Sequence, residues 1–353
     1  MVGVPGYRPH MARKAITDID GLEDALSEPT PRVVESLGKL KGDIVVLGAG
    51  GKMGPSLARM ARRASVAAGV SRRIIAVSRF SNAEAVERLQ AEGVETIACN
   101  LLDEAGLAGL PDAPNVVYMA GMKFGSTGNE PLTWAQNAFL PGLVCRKYRQ
   151  SRIAAFSSGN VYGLAPVSSG GSRETDPTDP VGEYAWSVLG RERMFQHFSA
   201  TAGTPVTLIR LNYACELRYG VLVDIARKVH AGQPVNVAMG CFNIVWQGDA
   251  NAMALQCLEL ARSPALVLNV TGPWIVPVRE AAARFGKIMG KKMKLEGEEA
   301  PDALLGNAAA AMELFGQPTV GLDELIGLIA DWVMRGGAHL GKPTHFESRD
   351  GKF

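Results

Sequence analysis

The chain has 353 residues, 47% hydrophobic and 20% charged, and 37 Lys and Arg against 35 Asp and Glu leave a formal net charge of +2. Such a length and balance describe a globular chain of two domains, or of one enlarged α/β domain, with no field to hold nucleic acid or an anionic membrane. No apolar run approaches the roughly 20 residues of a membrane helix. No leader pattern opens the chain, and the five cysteines and five histidines are scattered, so a cytoplasmic protein with reduced thiols and no metal site is expected.

The first 42 residues stand apart. "SEPTPRVVESLGKL" predicts an accessory helix with Thr30 as N-cap, Pro31 at the first helical position, and Val33, Val34, Leu37 and Leu40 on one apolar stripe. From Asp43 onward, strand-like runs at 44-48, 73-78, 94-99, 115-120, 152-157 and 205-211 alternate with amphipathic segments. One of these, "SNAEAVERLQAEG", opens with Ser81 and Glu84 in capping-box spacing. Apolar strands separated by helices predict a doubly wound α/β fold over 43-211, a parallel sheet covered on both faces. From residue 212 a smaller, mainly helical lobe is expected. Its helices fall at about 218-232, 249-262, 278-290, 301-315 and 322-335, and strands near 241-246 and 265-270 are candidates to return to the sheet. The tail "KPTHFESRDGKF" is polar with two aromatics, and either dangles or clips onto a neighbouring surface.

After the first strand, "IVVLGAGGKMGPSLARMARR" spaces Gly48, Gly51 and Gly54 three apart ahead of a helix. Glycines there permit a tight turn and let the backbone approach a pyrophosphate, whose charge meets the free N–H groups and positive dipole end of the helix. Gly48, Gly51, Lys52, Met53 and Gly54 are therefore candidate cofactor contacts, a purely structural turn being the alternative. Where the second strand ends, an acidic residue would bind the ribose 2′-hydroxyl of NAD. Here "AVSRF" offers Ser78 and Arg79, a hydroxyl and a guanidinium that suit a 2′-phosphate, so NADP is favoured over NAD. Arg79 stacked on adenine or turned to solvent would leave that choice open.

Together with the segments after the fourth and fifth strands, these residues resemble the extended short-chain dehydrogenase/reductase superfamily, especially its nucleotide-sugar epimerases and dehydratases, from about residue 43 to about 336. "YMAGMKFGSTGNEPLTWAQN" is similar to the segment after the fourth strand in UDP-galactose 4-epimerases. The resemblance implies that Ala120, Gly121 and Lys123 line the cofactor, with Asn137 on the helix behind it. "CNLLD" places Asn100 and Leu101 at the adenine, with Asn100 where aspartate is common. "FSSGNVYG" makes Ser158 the serine that hydrogen-bonds the reacting oxygen, with Asn160 beside the substrate, and "ETDPTDPVGEYAWS" makes Tyr184 the catalytic tyrosine. "LIRLNYACELRYG" resembles the opening of the substrate lobe and puts Asn212 at the substrate, one residue short of the usual spacing from Arg210. It also implies a Rossmann fold and a homodimer formed through helices at roughly 131-149 and 182-200, the first containing Pro141.

One departure matters. In that superfamily a lysine four residues after the tyrosine shares its helical face, holds the nicotinamide ribose and lowers the phenol pKa. Here the position is Val188. An unshifted phenol is about one part in a thousand ionised at pH 7, a deficit on the order of 4 kcal/mol for a step needing phenolate. Arg191 starts about 10 Å further along the helix and is not expected to substitute. Lys123 is the better candidate, unless it only pairs with the pyrophosphate. A neutral Tyr184 still donates a proton, so carbonyl reduction suffers less than alcohol oxidation.

The expected function is an NAD(P)-dependent oxidoreductase or epimerase acting on a small polar carbonyl or hydroxyl compound, a sugar or nucleotide sugar among the options. Tyr184 exchanges the proton and Ser158 orients the oxygen. A cofactor-binding sensor without catalysis is the alternative. A lyase would need an acid/base partner beside Tyr184, and Glu183 projects about 100° away around the helix.

Overall fold

Seven of the β-branched runs pair side by side in the computed structural model, which describes residues 16–123 and 125–351. They are β1 (Ile44–Leu47), β2 (Ile74–Ser78), β3 (Glu95–Ala98), β4 (Asn115–Tyr118), β5 (Arg152–Ser158), β6 (Val206–Leu211) and β7 (Leu266–Val270), all parallel, in the order β7-β6-β5-β4-β1-β2-β3. Strand order reverses between β1 and β4, which opens a crevice at their carboxyl ends. Ile44 and Val46 face one apolar core and Val45 and Leu47 the other. That alternation is why β1 is buried at every position.

The helices are α1 (Ile19–Leu26), α2 (Pro31–Lys39), α3 (Gly54–Ala67), α4 (Ala83–Ala91), α5 (Glu104–Ala108), α6 (Glu130–Trp134), α7 (Leu140–Lys147), α8 (Gly182–Ala202), α9 (Val221–His230), α10 (Gln247–Leu260), α11 (Val278–Met289), α12 (Ala309–Phe315) and α13 (Leu322–Met334). Residues of α2, α3 and α10 pack on one face of the sheet and those of α5, α7 and α8 on the other. A third core joins α9, α11 and α13 with Leu22 and Leu26 of α1 and Phe346 of the tail. Among the described residues no helix is long and apolar enough to cross a membrane.

Thr30 caps α2, accepting from the Val33 amide at 3.3 Å, and Val33 and Leu37 are buried against the sheet domain. Several expectations change. A second accessory helix, α1, precedes α2, capped by Asp18. Asn82 rather than Ser81 caps α4, because Asn82 carries the extended backbone and its side-chain oxygen meets the Ala85 amide at 3.3 Å. The segment 266–270 joins the sheet as its edge, but 241-246 does not. Asn243 interrupts it with buried side-chain bonds to Asn212 and Gly306, so Cys241–Phe242 pairs with Val276–Pro277 and Val245–Trp246 with Ala214–Cys215. The helix expected at 301-315 shrinks to α12. Asp302–Ala303 pairs instead with Ala165–Pro166, and the Asn307 side chain takes the Ala309 amide. The tail clips onto the molecule rather than dangling: Thr344 and Phe346 are buried.

Candidate active site

The turn from β1 into α3 meets the backbone of the next strand end. Gly48 has φ +89°, and a Cβ there would lie 2.5 Å from the Ala120 nitrogen. Only glycine allows that approach. A Cβ on Gly50 would lie 2.6 Å from Ser78 Oγ, so the end of β2 also borders this loop. No side chain caps α3: the Gly54 amide turns back to Gly51 O at 3.2 Å and Pro55 carries no N–H, so the start of this 14-residue helix presents the turn with its positive dipole end more than with free amides. A close backbone cradle with an uncapped helix start fits a dinucleotide diphosphate. Arg79 is exposed beside Ser78 at the crevice edge. Leu101 is buried, and Asn100 is exposed with its Oδ1 accepting from the Leu102 amide at 3.3 Å.

Across the crevice, Ala120, Gly121 and Lys123 follow β4. Behind them a π-helical turn, Ala135–Phe139, separates α6 from α7. Pro141 sits in the first turn of α7, where its missing N–H is tolerated. The widened turn points Asn137 inward, as such turns often do at functional sites. Buried Asn137 donates to Met122 O and Ser187 Oγ, both at 2.9 Å, and accepts from the Met122 amide at 2.9 Å and from Arg191 Nη2 at 2.6 Å. It thus fastens the Lys123 loop to the tyrosine helix, α8.

Tyr184 and Ser158 hydrogen-bond through their side chains. Ser158 also donates to Asn160 Oδ1 at 2.8 Å and accepts from the Asn160 amide at 3.2 Å. These three residues are brought together. Val188 is fully buried with Val161, Tyr162 and Leu189, and Tyr184 packs against that cluster. The usual lysine position is therefore core, and it delivers no charge.

Arg191 corrects the expectation drawn from helical length. It is buried, donates to Phe156 O at 2.9 Å and lies against Gly121, where a side chain would collide with the guanidinium. Helical side chains lean toward the N-terminus, and a long one recovers much of two turns of rise. Burial raises the Tyr184 pKa above its ordinary value; the Arg191 charge and the Ser158 hydrogen bond oppose it.

Two lysines converge on the same space. Lys123 Nζ lies 5.6 Å from the centre of the Tyr184 ring. Lys52 crosses from the glycine turn to the segment after β6, donating to Ala214 O at 3.3 Å with its ammonium 3.6 Å from the Tyr219 ring centre. Burial lowers both to about 8; at Lys52 Glu216 opposes the shift and the neighbouring Lys123 charge adds to it. Glu216 is itself buried, with its pKa raised by burial against the pull of Arg218. Arg218 bonds Glu216 at 3.1 Å and reaches Glu23 of α1 at 2.7 Å. The accessory helix thereby holds the segment on which Lys52 rests, a role nothing in the α1 sequence signalled.

Asn212 packs against Gly159, next to Ser158 and Asn160, where a Cβ on the glycine would lie 3.1 Å from the Asn212 side chain. Asn212 is buried and donates to Asn243 Oδ1 at 2.8 Å. Beneath the site, Arg210 grips the fully buried Glu192 through two bonds of 2.8 and 2.9 Å and donates to Tyr162 Oη at 2.7 Å; Ser157 also donates to Glu192 at 2.6 Å. Glu183 accepts from Trp134 Nε1 at 2.7 Å, away from the phenol. No His, Cys, Asp or Glu cluster able to hold a metal occurs among the described residues.

Comparison with known proteins finds that residues 44–241 match the model of the "NAD dependent epimerase/dehydratase family". No curated protein matches the sequence. Among solved structures, the UDP-Glc/GlcNAc 4-epimerase of Campylobacter jejuni superposes with a TM-score of 0.69 at 21% identity, over 84% of this chain and 100% of that one. A UDP-glucose 4-epimerase of Thermotoga maritima, with UDP-glucose, gives 0.67 at 17% identity, over 83% and 99% of the two chains. The dTDP-glucose 4,6-dehydratase DesIV of Streptomyces venezuelae, with NAD and TYD bound, gives 0.67 at 16% identity, over 83% and 97%.

Proposed function

The chain belongs to the NAD-dependent epimerase/dehydratase family, and within it we propose an NAD(P)-dependent oxidoreductase or epimerase that acts on a polar, sugar-like carbonyl or hydroxyl compound. The observation that carries this reading is the Tyr184–Ser158 hydrogen bond at the mouth of the glycine-lined crevice, with Lys123 over the phenol ring. Gly48, Gly51, Met53 and Gly54 form the cradle for the diphosphate, with Lys52 and Lys123 as its counter-charges. Ser78 and Arg79 favour NADP over NAD, because a guanidinium and a hydroxyl match a 2′-phosphate and no carboxylate closes β2. When bound, the nicotinamide supplies or accepts the hydride.

The protein's own part is the proton and the geometry. Tyr184, held neutral by burial, presents a proton to the substrate oxygen, and Ser158, aligned by Asn160, fixes that oxygen's position. Arg191, whose positive charge opposes the burial that raises the phenol pKa, stabilises the phenolate left after donation. A raised phenol pKa suits reduction more than oxidation. The exposed apolar residues Trp134, Phe139 and Trp186, on the α6–α7 segment and α8, support a homodimer through those helices.

A non-catalytic cofactor sensor is the second reading, favoured by Val188. Tyr184→Phe discriminates. In the first reading NADPH-dependent turnover of a carbonyl substrate falls at least about 100-fold while cofactor affinity stays within about twofold. An unchanged rate in the variant removes Tyr184 as the donor, and a native protein inert toward a panel of sugar-derived carbonyls leaves the sensor.

A further inference from the structure

We infer that the C-terminal segment from Thr344 to Gly351 is a movable wall of the substrate cavity that sets its size. While it is seated the site admits compact polar ligands, and a nucleotide-linked sugar binds only when it is displaced. This deepens the proposed function and rests on it for placing substrate beside Ser158 and Tyr184.

The segment runs from one lobe to the other. Thr344 donates through its amide and hydroxyl to Asp224 of α9, at 2.8 and 2.6 Å. Phe346 is buried, its ring 6.4 Å from that of Phe242. Arg349 then pairs with Asp302 and donates to Asp302 O at 3.0 Å. Beyond it Gly351 lies backbone to backbone on Val181 and Gly182, where a Cβ on Gly182 would come within 2.6 Å of Gly351 O. Both glycines have positive φ, +83° and +71°, so the contact uses conformations and space that side chains do not permit. Gly182 begins the helix that carries Tyr184 two residues later.

Between the lobes this leaves a cavity of about 30 Å³, bounded by Asn160, Tyr162, Val181, Leu304, Ser348 and Arg349. Asn160, which lines the cavity, also accepts from Ser158, so the cavity lies one side chain away from the reacting groups. Its volume suffices for about two waters, against the several hundred Å³ typical of a site for a ligand of nucleotide-sugar size. The anchors differ in kind. Thr344 and Phe346 are buried in the lobe, whereas Arg349 and Asp302 are partly exposed and Gly351 is held by contact. The far end is therefore the one that opens, with Phe346 as its fixed point. For a ligand needing the open form, apparent affinity is reduced by the fraction of molecules that are open.

The test is UDP-glucose binding to the NADP-saturated full chain, to Arg349→Ala, and to a chain ending at Lys342, each also titrated with NADP alone. The expected result is UDP-glucose affinity at least about tenfold tighter in Arg349→Ala than in the native chain, with NADP affinity equal in both. Equal UDP-glucose affinity in native and Arg349→Ala protein, or tight binding by the native chain, overturns the proposal. If removal of Phe346 unfolds the truncated chain, loss of its NADP binding reveals this, and Arg349→Ala decides alone. Absence of NADP binding from every form counts against the proposed function. The three forms compared without NADP then still test the wall.

Discussion

Replacing Lys52 by methionine should stabilise the cofactor-free protein and weaken the cofactor complex. Burial takes this lysine from 10.5 to about 8, which at about 1.36 kcal/mol per pH unit corresponds to roughly 3 kcal/mol withheld from folding while the ammonium is protonated. The side chain is only partly buried, so solvent screening reduces the expected gain to about 1–2 kcal/mol. Methionine keeps most of the apolar stem that crosses to Tyr219. The sign with pH follows. Below about pH 8 the group is charged in both folded and unfolded chains, so the full gain of Lys52→Met is present. Between about 8 and 10.5 the folded lysine is already neutral while the unfolded one is still charged, and the gain fades. Urea unfolding of native and variant chains at pH 7 and pH 10, with NADP titrations at pH 7, measures both halves. Expected are a higher midpoint at pH 7 that converges by pH 10 and an NADP affinity lower by about tenfold, the scale of one charge-assisted bond to phosphate. A less stable variant at pH 7, or a gain that grows with pH, refutes the reasoning.

Arg79→Ala should lower NADP affinity by about tenfold and leave NAD within about twofold. Calorimetric titration with both dinucleotides measures this, and equal losses discard the 2′-phosphate assignment. Arg191→Met should cost about 2–4 kcal/mol in denaturant unfolding, because Phe156 O and Asn137 Oδ1 lose a buried charged donor. The same variant should raise the pKa of Tyr184 further, read as a later phenolate absorbance step relative to Tyr184→Phe controls. An unmoved step would remove Arg191 from the site's electrostatics.

The sheet was legible because burial on both faces demands strongly apolar runs, and 44–47 and 74–77 are such runs between turn signals, while 206–211 is one interrupted by Thr207 and Arg210. The two-residue pairings at 241–242 and 245–246 were not, since no periodicity exists over two residues and Asn243 acts through distant partners. Glycine spacing marked the tight turn between β1 and α3, but not the path of Lys52, which depends on where residues 214–219 fall in space. Val188 was readable as a missing charge. What the sequence concealed was the direction of Arg191: Cα spacing along α8 says little about a guanidinium that folds back toward Asn137. Arg191 and its neighbour Glu192 are both buried, each satisfied by partners far away in the chain. Tail anchoring was hidden for a related reason, since Thr344 and Phe346 owe their burial to α9 and Phe242, not to any local pattern.

Every proposed role depends on a dinucleotide resting its diphosphate against the start of α3. The measurement that tests this most directly is calorimetric titration of the purified full chain with NADP and with NAD. The predicted result is saturable binding of one dinucleotide per chain, tighter for NADP and weakening as pH rises through about 8, where Lys52 and Lys123 lose their protons. No saturable binding of either nucleotide at any pH from 6 to 9 would contradict it.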